Sequence, residues 1–215
     1  MKSTIKDLIK WFSCIWIKIK NPNISFFIDS KVYIKNVNIC KNGRGNSLSL
    51  GKGVSLKNCT ICIQGSNNQI IIHENSKVQD VTFWIDDDNN VIEIGYNTTF
   101  HGKCQLAACE GTKITIGNDC MFSHDIYCRT TDSHSILNEY GIRINPAKDI
   151  RVGNHVWIGM QCLILKGCCI SDNSIIGARS MVTSSIESTP NSLFSGTPAK
   201  IIKNNINWDR YRYMK

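Results

Sequence analysis

The sequence predicts an all-β fold, a parallel β-helix, on three observations. Val152, Ile158, Ile164, Ile170, Ile176 and Val182 are spaced by six without a miss. Two residues before each stands Ile150, Val156, Cys162, Cys168, Ser174 or Ser180, small or apolar and never charged. A period of two inside a period of six describes short strands that send two side chains to one face and then turn. A helix would repeat at three and four instead. Upstream, Ile28, Leu50, Ile72, Ile94 and Ile116 are spaced by 22. Three six-residue sides make a coil of 18 and leave four residues over, so each early coil carries a bulge at one corner.

Residues 1–21 read as an amphipathic helix, with Ile5, Leu8, Ile9, Phe12, Ile15, Trp16 and Ile19 on one stripe and Asn21-Pro22 ending it. Its preferred role is to cap the open end of the solenoid, where strand edges and core need cover. The alternative is weak association with a membrane surface. Residues 22–188 form the β-helix domain. The bulges fall near NGRG, GSNN, DDNN and EGTK, all polar or glycine-rich, and recur in register, so they should stack as a ridge. Trp84 takes an inward phase, level with Cys62, Leu106 and Cys128, unless the register slips there by one. Gly153, Gly159 and Gly177 directly follow aliphatic positions, where the chain turns and a Cβ can be in the way. From Ile116 the next in-phase coil begins at Val152, 36 residues on. The surplus is an insertion, 132–147, holding His134, Tyr140, Arg143 and Pro146 and breaking the period. A solenoid does not need such a loop to fold, and long insertions in compact domains are usually functional. The tail, 189–215, turns at Gly196-Thr197-Pro198; its Trp208, Tyr211 and Tyr213 are expected on a short helix across the C-terminal end.

The sequence contains no stretch of about 20 apolar residues, and no cleavage pattern follows the first apolar run. A cytoplasmic protein is expected. Eleven cysteines, an odd number, read as small core residues in a reducing compartment rather than a disulfide framework. Cys59 and Cys62, three apart on a strand, point to opposite faces and make a poor zinc pair. The net charge of +8 comes without a basic helix or aromatic-interleaved patch. That argues against nucleic acid and for an anionic acceptor, a phosphorylated cofactor or a membrane surface.

The run Asn145 to Gly159, NPAKDIRVGNHVWIG, with TDSHS before it and SGTPAKII after it, resembles the left-handed β-helix acyltransferases. The likeness is greatest to the O-acetyltransferases that decorate bacterial sugars and capsule polysaccharides. It covers residues 116–202; upstream, repeats alone carry it. The resemblance implies acetyl-CoA as donor, a homotrimer with the active site between subunits, and a catalytic His in the insertion. Acyl transfer to a hydroxyl needs a base, donors for the oxyanion and a held acceptor. His134, between Ser133 and Ser135, is the candidate base. His124, which shares a coil with the insertion, is the runner-up; His73 and His155 fall at coil corners, and His101 is the remaining rival. Asp132, Glu139 or a backbone carbonyl would orient the ring.

Trp157, between inward Val156 and Ile158, must point outward. With Leu163, Ile175 and Met181 it describes an apolar outer face that suggests a subunit interface. Trp157 would then wall the acceptor or acetyl site. Backbone near Gly159, Gly177 and Ala178, with Lys166, Arg179 and Lys200 for phosphates, are the candidates for holding CoA. Arg143 and Lys148 are the candidates for holding an anionic sugar. No metal is called for. The expected protein is thus a homotrimeric O-acetyltransferase of a bacterial surface glycan, with capsular polysialic acid an attractive acceptor. The alternatives are an N-acyltransferase of an amino sugar nucleotide, a serine-type acetyltransferase, and a β-helix protein that binds a partner or a metal without catalysis.

Overall fold

A computed structural model describes residues 14–211. The fold class is the expected one, a left-handed parallel β-helix with three flat faces. Face I stacks the strands Ile24–Ile28, Asn46–Leu50, Gln69–Ile72, Val91–Ile94, Lys113–Ile116, Ile150–Val152 and Cys169–Ile170. Face II stacks Tyr33–Lys35, Ser55–Lys57, Lys77–Gln79, Thr99–Phe100, Met121–Phe122, Trp157–Ile158, Ile175–Ile176 and Leu193–Gly196. Face III stacks Asn38–Asn42, Thr60–Gln64, Val81–Asp86, Cys104–Cys109, Tyr127–Arg129, Leu163–Leu165 and Met181–Val182. Every alternate side chain goes into one continuous core, and Ile150, Val156, Ile158, Cys162, Ile164 and Ile176 are fully buried. The register of Ile116 on Val152 confirms that a whole coil's worth of chain leaves the stack between them.

The bulges do stack, at the edge between faces III and I, and an asparagine ladder holds them. The backbone amide of Asn68 donates to Asn46 Oδ1 at 2.9 Å, that of Asn90 to Asn68 Oδ1 at 2.8 Å, and that of Thr112 to Asn90 Oδ1 at 3.0 Å. All four side chains are buried, so each amide group satisfies backbone that water cannot reach. The ladder ends where Thr112 Oγ1 donates to Thr130 Oγ1, at the root of the insertion.

Two expectations need correction. Trp84 points outward, between Cys62 and Ala107, and Phe83 takes the core position in line with Ile61 and Leu106. The register does slip by one: Val81 pairs with Cys104, 23 residues on, because three residues, His101 to Lys103, turn a corner that Gln79 and Asp80 turn alone. The C-terminal helix is absent from the described residues. Ala199–Lys203 folds back antiparallel on Leu193–Gly196 instead, covering a strand edge that would otherwise lie open. Beyond it, Trp208 and Arg210 run down the outside of face II; Tyr213 lies outside the described residues.

At the other end, residues 14–20 are helical, and Asn21 Nδ2 closes the helix on the Ile17 carbonyl at 2.9 Å. Ile17 is buried in the core cluster and Cys14 packs against it, while Trp16 and Ile19 stand in solvent. The rest of the expected helix, 1–13, lies outside the described residues. No described helix is long and apolar enough to cross a membrane. Among the described residues no disulfide joins two cysteines. Cys120 and Cys168 are core residues whose thiols burial pushes up to about 12, and Cys59 points in where Cys62 points out.

Candidate active site

The insertion is folded upon itself and tied to the coil beneath. Leu137 bridges Arg143 in a short antiparallel turn, and the Ile144 amide donates to the Ile136 carbonyl at 2.8 Å. Asn145, buried at its base, donates from Nδ2 to Asp132 Oδ2 and to the His134 carbonyl, both at 2.8 Å, and accepts the Ile136 amide at 2.7 Å. Arg143 reaches down to the last bulge and grips Glu110 with two bonds of 2.7 and 2.9 Å. This holds the Glu110 carboxyl down to about 2, with help from Thr131.

A carboxyl depressed in the folded state stabilises it above the ordinary value of 4.5, and that contribution is lost as pH falls toward 2. Acidification through this window should therefore loosen the insertion, read as faster exchange of the Ile136 and Ile144 amides. The Glu110→Gln variant should already be loose near neutral pH and respond little. An insertion that stays protected in both would show that this ion pair does not hold it.

His134 is exposed, with its carbonyl fixed by Asn145 and its ring making no hydrogen bond among the described residues. Neither carboxylate candidate orients it: Asp132 is taken by Lys166 Nζ at 2.5 Å and by Asn145, and exposed Glu139 lies at the insertion's tip. Arg143, expected on an anionic sugar, has its terminal nitrogens on Glu110. Lys166, expected on the cofactor, belongs to the insertion's base. Lys148 is exposed beside Gly167 at the same edge.

The other candidates lie elsewhere on the prism. Gly159, Gly177, Ala178 and Arg179 gather at the edge between faces II and III on successive coils, below the turn that leads to exposed Lys200. A Cβ on Gly159 would come 2.7 Å from the Ala178 amide nitrogen, so close stacking requires glycine there. Arg179 Nε donates to Gln161 Oε1 at 2.8 Å. Trp157 projects from face II, 37% exposed, between Met121 and Ile175. Leu163 and Met181 project from face III, so the expected single apolar face is two faces meeting at one edge. Trp157 and the insertion share a coil, but face II is opposite the edge between III and I. One copy of the chain cannot bring His134 to Trp157.

Three residues that the repeat pattern did not single out complete this region. Trp208 stacks on His155 with ring centroids 4.2 Å apart and tilts against Trp157 at 6.1 Å. His155 sits between two oxygens, with Nδ1 at 2.7 Å from Asp119 Oδ2 and Nε2 at 3.0 Å from the Trp208 carbonyl. Arg210 bonds to Asp119, Thr99 and two backbone carbonyls. Burial opposes ionisation of Asp119, but the bonds from His155 and Arg210 outweigh it and keep the carboxyl low. A Trp and an Arg in the tail were the available signals.

Residues 149–184 match the family model described as bacterial transferase hexapeptide (six repeats). The polysialic acid O-acetyltransferase of Neisseria meningitidis is 37% identical over 116 residues, 54% of each chain. The galactoside O-acetyltransferase of Escherichia coli (strain K12) is 33% identical over 125 residues, 57% of this chain and 58% of that one. The chain thus spans about half the length of the curated relatives it matches. Among solved structures, that of the polysialic acid O-acetyltransferase OatWY superposes with a TM-score of 0.84 at 32% identity, covering 89% of this chain and 90% of that one. The chain belongs to the hexapeptide-repeat acetyltransferase family. The family's fold accounts for the face-and-edge geometry here, and the polySia-specific acetyltransferase NeuO shares it at a TM-score of 0.68 and 31% identity.

Proposed function

We propose that the chain transfers an acetyl group from acetyl-CoA to a hydroxyl of an anionic bacterial surface glycan, with polysialic acid the first acceptor to test. His134 is the general base. It takes the proton from the acceptor hydroxyl as the acetyl group moves, and returns it to the departing CoA sulfur. The edge at Gly159, Gly177 and Ala178, with Arg179 and Lys200 above, supplies backbone donors and cations suited to a thioester cofactor carrying phosphates.

The observation that carries this reading is the separation of His134 from Trp157. A second copy closes it. Ile136, Leu137, Tyr140, Ile142 and Ile144 of the insertion are all more than half exposed. Tyr127, Trp157, Met160 and Leu163, around the edge between II and III, are exposed as well. Laying one copy's insertion on the next copy's edge covers both patches and sets His134 beside Trp157. The contact is head-to-tail, which gives a ring when the rotation between copies closes, and the family resemblance supports a closed trimer.

Changing Ile142 and Leu163 together to Asp should shift the protein to monomer by light scattering and remove activity. An active oligomer would place the interface elsewhere. Thiol release from acetyl-CoA across a glycan panel tests the chemistry: release with polysialic acid supports it. Release only with amino sugar nucleotides would point to N-acylation, and no release with any anionic glycan would sink the acceptor class.

A further inference from the structure

The lysines at outward strand positions of the first three coils all lie on face II. We propose that face II below Trp157 is a binding track for the anionic acceptor chain beyond the sugar being acetylated. This rests on the reading above that the acceptor is an anionic glycan. Lys35, Lys57 and Lys77 all project outward from face II and are exposed. Lys35 pairs with Lys57 on the next strand, and Lys77 occupies the strand above, between Ser55 and Thr99. None of the three forms an ion pair among the described residues; Lys57 rests over the Tyr33 ring at 5.7 Å. Outward strand positions of face II on these coils carry no Asp or Glu. Outward positions of faces I and III on the same coils carry no Lys or Arg. The carboxylates nearby, Asp29, Glu74 and Asp80, sit at the edges.

Stacked like charges repel across a sheet, and the coil's own packing gains nothing from them. Arg210 continues the column upward, held on Thr99 directly beneath Met121 and Trp157. From the coil of Lys35 to that of Trp157 is five strand steps, about 24 Å at the usual strand spacing. A column that is basic over its lower coils and leads up to the candidate site suits a polyanion lying along the solenoid axis. It suits a single sugar no better than any other surface.

The test is the triple variant Lys35→Gln, Lys57→Gln, Lys77→Gln, assayed with anionic acceptors of graded length at several salt concentrations. KM for long acceptors should rise about tenfold and lose much of its salt dependence. kcat, the KM for acetyl-CoA and the KM for the shortest accepted chain should stay put, with the trimer intact by light scattering. An unchanged KM for long chains overturns the track. So does loss of the trimer, which would assign the lysines to the acidic ridge at Asp86, Asp87 and Asp88 of a neighbouring copy. Binding to immobilised polysialic acid separates this from the activity itself. If the wild type binds and the triple variant does not, yet neither acetylates, the track stands and the proposed reaction falls.

Discussion

Replacing His134 with Ala should cut turnover about 10²–10⁴-fold, the usual loss when a general base is removed. Fold and assembly should be untouched. The ring makes no contact that the structure needs: its backbone carbonyl, not its imidazole, is tied into the insertion by Asn145. KM for acetyl-CoA should change little, because the candidate cofactor edge lies on another part of the prism. The control is His124→Ala. His124 projects at the edge between II and III with Nδ1 on Asp125 at 2.9 Å, one coil below Gly159 to Gln161. If His134→Ala keeps near-normal activity and His124→Ala does not, the base is His124 and the insertion serves another purpose. His155→Ala should behave differently from both, because that ring fastens Trp208 beside Trp157.

Gly65→Ala should be the most damaging small change away from the site. Gly65 has a φ of +125°, and a Cβ there would lie 2.1 Å from the Asp87 carbonyl oxygen of the next coil. That oxygen is not free to move, because Asn68 Nδ2 and Asn90 Nδ2 both donate to it, at 3.0 and 3.2 Å. Pushing it aside would pull buried amides off the ladder. Backbone strain and overpacking together should cost about 2–5 kcal/mol, or roughly 5–15 °C in Tm for a domain of this size. Thermal unfolding followed by circular dichroism reads it. A Tm within about 2 °C of the wild type would mean the ridge yields freely.

Why some features were legible and others were not follows from where the information sits. The core of residues 150–182 could be read position by position, because a strict period of six leaves each inward side chain one possible phase. The phase failed at Trp84 because a single extra corner residue, in His101 to Lys103, lies a coil away from the side chain it re-aims. The split of Trp157 and Ile175 from Leu163 and Met181 was present in the numbering: residues 18 apart share a face and residues six apart do not. The tail carried no period at all, so nothing local opposed a helix. Its actual course is set by partners 53 and 91 residues away, His155 and Asp119. The same holds for Arg143, whose partner Glu110 belongs to the last bulge of another repeat. His134 was found from its place in the one long insertion. That His134 and Trp157 lie on different parts of the prism emerged only when the faces were assigned.

The strands of the early coils pair only with the coil above and the coil below, and each repeats every 22 residues up to the slip at face III. Adding or removing one such unit would leave residues 149–184 and the insertion where they are. It would change only how far face II extends beneath them, in steps of about 4.8 Å. The solenoid can therefore act as a ruler whose graduations are whole coils. If the lysine column is the surface that a polymer lies against, the length of chain favoured as acceptor is written in the number of repeats, and it can be reset without touching the chemistry.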